Sequence, residues 1–352
     1  MKNYFLAVDY HYIGEKDRYP YPGIHSITPG ELESQLNELS RYFTFVGIED
    51  IKNAVMRKVS LPARSIVVTF DDGLKEHFEN ALPVLDRMKV PFIFFVNSKP
   101  YSDKKALTVH KIHFLRSVVA VNELLRFIED ALAVLFKTSF SLKEIKSSMP
   151  PHIYPYDDDD SKLVKYIFNF FLPRERSDAM ADYIFQSYCG ETEFCKKFYM
   201  NEDELKLIHS RYKAIGLHGH SHLSIAELPE KEADREVWLC KKTIEDIVSD
   251  EIICLSYPFG YLNSVSLREE KIAQAAGLVF CFTMEMCFNR DVSIAPYLLG
   301  RINNNEAPGN KQAAFKYVDG DFIITDENRM KYHRCRYYSD LMEEPQIEKQ
   351  FS

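Results

Sequence analysis

The 352 residues hold no C-x-x-C pair, no Lys/Arg-rich run and no apolar stretch of 18 residues. Each absence removes a class of protein. Seven cysteines (189, 195, 240, 254, 281, 287 and 335) form an odd count without metal-knot spacing, so neither a disulfide framework nor a zinc knot is expected. They read instead as free thiols in a reducing compartment. A net charge of −8 without a basic patch argues against a nucleic-acid partner. Without a long apolar run, no membrane span is expected. The apolar stretch Tyr4–Val8 ends at Asp9, too short for a signal-peptide core, which gives an expectation of a cytoplasmic protein. Gly and Pro are sparse, at 13 and 16, and the charged fraction is 27%, which excludes a disordered chain. What remains is 46% hydrophobic residues, enough for a large core in one big domain or two ordinary ones.

Apolar strand-like runs alternate with helical patterns. "YFLAVDYHYI" (4–13), "FTFVGI" (43–48), "SIVVTF" (65–70) and "PFIFFVN" (91–97) read as strands. Between them, 29–43 is an amphipathic helix with Thr28 as N-cap and Pro29 in its first turn. Residues 75–89 form another, which Pro83 should kink or end early. From about 103 to 205 the alternation stops, and helices with polar linkers suggest an insertion between two strands, not a second independent core. Within it, Asp157–Asp160 reads as a solvated loop. Strands resume at 212–222, 251–260 and 277–284, with helices around 229–249 and 264–276. A hairpin with Asp319-Gly320 at its turn is expected in a C-terminal extension over 306–352. The alternation predicts an α/β fold with a largely parallel sheet.

Two polar clusters follow apolar strands. Asp71 and Asp72 end the run 65–70, and two adjacent carboxylates near a core need a compensating cation or proton. His218, His220 and His222 end the run Ala214–Leu217. In a strand all three share a face; in a helical turn His218 and His222 pair without His220. Two imidazoles and one carboxylate, from Asp71 or Asp72, form a common ligand set for a divalent metal with open positions. In parallel α/β sheets and barrels the C-terminal strand ends carry the chemistry, and both clusters sit at such ends.

Thr69-Phe70-Asp71-Asp72-Gly73 resembles the T-F-D-D-G motif of the NodB-type polysaccharide deacetylases, carbohydrate esterase family 4. Gly216–His222 is similar to that family's second motif, with two histidines four apart, and Tyr257-Pro258-Phe259-Gly260 to its third. The motifs stand in the family's order over about 1–305, apart from the insertion. The resemblance implies a distorted (β/α)7 barrel with a large helical insertion. It also implies hydrolysis of acetyl groups, most readily N-acetyl, from a glycan, sugar or glycan precursor. One divalent ion is implied, usually zinc, with nickel, cobalt or iron as alternatives. Carried over, Asp72, His218 and His222 are the metal ligands and Asp71 the general base. His220 is left as a structural histidine. The oxyanion donor falls at the Tyr257 N–H, with Pro258 and Phe259 lining the substrate site.

The chain departs from the family at its end. The C-terminal Leu-x-His that supplies the acid is missing, and His333 stands in a polar context, "MKYHRCRYY". Tyr10-His11-Tyr12 resembles the acid segment of a branch that places this histidine before T-F-D-D-G, which assigns the acid to His11. Most of the family orients the base with an arginine in the third motif. Ser256-Tyr257 occupies that place here, and Arg301 is the candidate substitute. Tyr12, Phe259 and Tyr261 are candidates to stack on a sugar ring. Two other readings compete: a carbohydrate-binding protein on an inactive fold, and a metal amidohydrolase of a non-sugar amide.

Overall fold

Alternate residues of the strands face two different cores, and that parity builds the molecule. The computed structural model describes residues 5–15, 26–137, 141–150, 158–261, 265–308, 310, 313–318 and 321–324. Eight strands form one sheet: β1 (Phe5–Tyr10), β2 (Thr44–Phe45), β3 (Ser65–Phe70), β4 (Phe92–Val96), β5 (Ile215–Leu217), β6 (Cys254–Ser256), β7 (Phe280–Phe282) and β8 (Ile302–Asn303). The order is β7-β6-β5-β4-β3-β1-β8, with β2 against the start of β3, and every pair is parallel. A parallel bridge between Phe282 and Leu299 links β7 to the chain leading into β8 and brings the two ends together. The result is the expected distorted (β/α)7 barrel, with seven strands on its main path.

Phe5, Ala7, Val67, Ile93, Phe95, Phe280, Phe282 and Leu299 fill one core. Leu6, Val8, Ile66, Val68, Phe92 and Phe94 belong to the other, with helix residues such as Leu32, Leu36 and Val237. A strand buried on both faces reads as a continuous apolar run, which is why β1, β3 and β4 show no polar alternation. Gly216 serves the first core: a Cβ there would lie 2.5 Å from the Phe95 ring.

Several local expectations are met and several corrected. Thr28 caps the helix Pro29–Ser40 in a full capping box with Glu31. The predicted strand over 43–48 shrinks to Thr44–Phe45, because Gly47 starts a helix, Ile48–Val55, whose Asp50 accepts the Gly47 N–H. Pro83 neither ends nor breaks its helix. A π turn, His77–Ala81, runs directly into Leu82–Met88, with the Leu82 N–H reaching back to the His77 carbonyl. The wider turn accommodates a residue that has no N–H to give. The acidic run is no loop at Asp158–Asp160: Asp158 caps the helix Asp159–Tyr166, where carboxylates favour the positive end of the helix dipole. The strands β9 (Phe315–Val318) and β10 (Asp321–Ile324) pair antiparallel, as the hairpin expectation requires. His333 lies outside the described residues.

The chain divides into two compact units. One takes in the described residues of 1–13, 27–103 and 198–352, the other those of 14–26 and 104–197. The helical unit therefore ends before 205, and the helix Glu202–Tyr212 belongs with the barrel strands. Against the expectation of no second core, the helical unit has its own buried side chains, among them Ile128, Leu132, Ile184 and Phe185, and a buried Lys111 paired with Asp182 and Glu191. The six described cysteines are free. No helix among the described residues is long and apolar enough to cross a membrane.

Candidate active site

The parity that places Phe5 and Ala7 in the barrel core continues past the strand ends and changes chemistry. On β1 it reaches Asp9 and His11, on β3 Thr69 and Asp71, after β5 His218, on β6 Ser256, and before β8 Arg301. Except for His11, these polar residues are all buried. They meet at the C-terminal end of the strands, as expected for a parallel sheet.

Backbone ladders fix the first positions beyond the strands. The Asp71 N–H donates to the Tyr10 carbonyl at 3.0 Å, and the His218 N–H to the Val96 carbonyl at 2.9 Å. Asp72 then turns out of the ladder with φ of 80° and Gly73 with φ of 65°. A non-glycine residue held there is strained, and the strain turns its side chain away from that of Asp71. The histidine segment is neither strand nor helical turn. Gly219 and His222 take φ of 73° and 58°, folding the loop so that the rings of His218 and His222 lie 5.0 Å apart. Glu236 holds that loop by accepting from the Ser221 N–H at 2.8 Å and from its hydroxyl. His220 turns elsewhere: its Nδ1 is 2.8 Å from Ser98 Oγ and its Nε2 3.5 Å from Asp103.

Asp72 Oδ1 is 3.6 Å from His218 Nε2 and 3.5 Å from His222 Nε2, and the three ligand atoms lie within 4.8 Å of one another. Those separations are long for hydrogen bonds. They suit two corners of a tetrahedral ion, whose ligands at about 2.1 Å lie roughly 3.4 Å apart. The Nδ1 of His218 lies 2.8 Å from the Ser256 carbonyl, so Nδ1 carries the proton and Nε2 presents its lone pair to the common point. The donor set therefore fits a divalent metal.

Arg301 is buried and brings the rest together. Its Nη1 and Nη2 grip both oxygens of Asp71 at 2.8 and 2.7 Å. Nη1 also donates to Asp9 Oδ1 at 3.0 Å and to Thr69 Oγ1 at 3.1 Å, Nη2 to Ser256 Oγ at 2.7 Å, and Nε to the Thr283 carbonyl at 3.3 Å. Burial alone would raise the Asp71 carboxyl; the Arg301 guanidinium outweighs it and holds it well below the usual carboxylate range. The other oxygen of Asp9 lies 3.2 Å from Nδ1 of His11, whose side chain is 43% exposed. Burial of that imidazole opposes its charge, but Asp9 prevails and its pKa rises to about 10. Ligand atoms of Asp9, His11 and Asp71 share a second 4.8 Å cluster, so His11 stands beside Asp71.

Two expectations need correction. The Tyr257 N–H is committed to the Phe282 carbonyl at 3.0 Å, extending the β6–β7 ladder, so it is not free to hold an oxyanion. Phe259 is the alternative donor. Its backbone sits at φ of 63° after Pro258, its N–H has no acceptor among the described residues, and its ring packs 5.0 Å from His222. Tyr12 is buried against Phe198, which removes it as a sugar platform, whereas Phe259 and Tyr261 are exposed. Asp9 and Ser256 are site residues the sequence reading missed. A lone acid in an apolar strand, in phase with His11, was the available signal for the first.

Comparison with known proteins bears on the segment that holds Asp71 and Asp72 and on the fold. Residues 58–124 match the sequence model of the family described as polysaccharide deacetylase. Among solved structures, the chain is similar to IcaB from Ammonifex degensii, with 17% identity, 87% of this chain and 94% of that one covered, and a TM-score of 0.53. It is also similar to a de-N-acetylase from Aggregatibacter actinomycetemcomitans, with 14% identity, 88% and 98% coverage, and a TM-score of 0.53. Comparison with curated proteins gives no match. The resemblance to the NodB-type polysaccharide deacetylases thus stands on the matched segment and on the fold; that family consists of hydrolases acting on acetyl groups.

Proposed function

We propose that the protein hydrolyses N-acetyl groups of an acetylated amino sugar or glycan, with one divalent metal ion held by Asp72, His218 and His222. The observation that carries this reading is the joint geometry of the site: three ligand atoms within 4.8 Å, beside an acid clamped by a buried arginine. A bound divalent ion, with zinc the best match to two imidazoles and a carboxylate, supplies Lewis acidity that lowers the pKa of a water and polarises the acetyl carbonyl.

The chain's own residues do the rest. Asp71 stays ionised under Arg301 and accepts the proton of the attacking water. Its depressed pKa makes it a weak base, so it suits a water that has already been acidified. The Phe259 N–H is placed to receive the oxyanion of the tetrahedral intermediate. His11, protonated through Asp9, delivers a proton to the departing nitrogen as the C–N bond breaks. Water and amide become acetate and amine, with no covalent enzyme intermediate. The protonated His11 favours the amide, because an amine leaves poorly without a proton and an alkoxide less so. Exposed Phe259 and Tyr261 offer apolar faces to a sugar ring.

The test is acetate release from oligomers of N-acetylglucosamine, with metal content measured on the same preparations. Asp71→Asn should keep its metal and lose turnover, while His218→Ala should lose both. Full activity in Asp71→Asn would overturn the assignment. Hydrolysis of simple amides with sparing of acetylated sugars would transfer the chemistry to another substrate class.

A further inference from the structure

His11 stands one residue beyond the sheet. The β1–β3 ladder ends at Tyr10, and the next three residues must find partners elsewhere for their backbone groups. They find most of them on one helical turn. His77 Nε2 lies 2.8 Å from the His11 carbonyl, Glu76 Oε1 accepts the Ile13 N–H at 2.6 Å, and Asn80 Nδ2 donates to the Ile13 carbonyl at 2.7 Å. The Tyr12 carbonyl accepts the Ile27 N–H at 3.2 Å. Three side chains of the segment leading into and forming the π turn thus hold the backbone at His11 and at Ile13, two residues beyond it.

We propose that Glu76, His77 and Asn80 are positioning residues that set the reach of His11 toward the leaving group; this rests on the acid role given to His11 above. His77 is fully buried between the rings of Phe70 and Phe94, at 5.3 and 5.4 Å. Because the facing atom is a carbonyl oxygen, its single proton must sit on Nε2. Burial lowers its pKa to about 4, so near pH 7 the ring is neutral and gives its one proton to this bond. Asp9 fixes the His11 ring at Nδ1, and the clasp fixes its main chain; together they leave Nε2 as the free proton donor. The π turn that accommodates Pro83 carries His77 and Asn80, which gives this irregularity a use.

The experiment compares two substrates. An N-acetylglucosamine oligomer needs a proton on its leaving amine, whereas 4-nitrophenyl acetate releases a stable phenolate without one. His77→Phe keeps the packing between the two rings and removes the donor. It should lower kcat/KM on the oligomer about 10- to 100-fold, the cost of a small misplacement, and leave the aryl ester within about threefold. His77→Gln restores an N–H donor and should recover most of the oligomer activity. His11→Ala is the reference and should show the same selective loss, deeper. Equal losses on both substrates in His77→Phe, or no loss on either, would overturn the clasp while the acid role survives. If His11→Ala itself shows no selectivity, the acid assignment falls and the clasp with it.

Discussion

Replacing Arg301 with methionine isolates the largest electrostatic interaction in the site. The substitution keeps most of the volume and removes a guanidinium that contacts Asp71 through both oxygens and Asp9 through one. With its partner gone, the buried Asp71 can remain charged or take up a proton. Protonation bounds the cost. For a carboxyl with a reference pKa of about 3.9, it amounts to roughly 1.4 kcal/mol per pH unit above that value, or about 4 kcal/mol at pH 7. This agrees with the ~3–5 kcal/mol typical of breaking a buried ion pair. The sign with pH follows. In the native protein Asp71 is held below its unfolded value, so its contribution is present at neutral pH and lost only in strong acid. In the variant the strongest opposing charge is gone and burial raises it, so the folded state binds one more proton than the unfolded chain and loses stability as pH rises. The deficit should therefore be about 4 kcal/mol at pH 7 and about 3 kcal/mol smaller at pH 5. Urea unfolding of metal-free protein, followed at pH 5, 6 and 7, measures it. The single tryptophan, Trp238, lies on a barrel-unit helix and reports on that unit. Arg301→Lys keeps the charge but not the fork and should lose about 1–3 kcal/mol. A deficit in Arg301→Met that is absent at pH 7, or the same at pH 5 and 7, would refute this reasoning.

Other outcomes follow from the same contacts. Asp9→Asn removes the carboxylate that raises His11 to about 10, so the alkaline limb of kcat/KM should move to lower pH by a unit or more; a limb that stays in place would remove His11 as its source. Gly300→Ala drives a Cβ into the Glu285 carbonyl oxygen and Cys287 Sγ next to Arg301, and should cost about 1–3 kcal/mol or more in urea unfolding. Chelation should lower the melting temperature of metal-loaded protein, and the shift should vanish in His222→Ala; an equal shift in that variant would place the metal elsewhere.

The barrel was legible because β1, β3 and β4 are buried on both faces and read as unbroken apolar runs bounded by polar residues. Asp71, Asp72, His218 and His222 were legible as a cluster because their spacing survives any error in strand boundaries. What escaped depends on register. Whether Tyr257 or Phe259 offers a free N–H turns on where the β6 ladder stops, and sequence boundaries are uncertain by more than that one residue. The helix Ile48–Val55 was hidden because the aromatic and β-branched run before it reads as strand up to the capping Gly47. Asp9 and Ser256 were missed although parity marks them: each lies two residues beyond a side chain of the barrel core, at Ala7 and Cys254.

That parity also concentrates negative charge at the site. Three carboxylates, Asp9, Asp71 and Asp72, converge on one buried region, each less than 5% exposed, and Arg301 offsets only one charge. A protonated His11 offsets a second, at an exposed edge. Asp72 Oδ1 faces the Nε2 atoms of His218 and His222 at 3.6 and 3.5 Å, and His218's is left unprotonated by the Ser256 carbonyl. A divalent ion held by Asp72, His218 and His222 would add positive charge where these carboxylates converge. Arg301, placed just before β8, reaches both oxygens of Asp71. The described residues thus combine a carboxylate clamped by a guanidinium with a three-atom donor set beside it, an arrangement that the proposed hydrolysis uses and a mere binding scaffold has no need of.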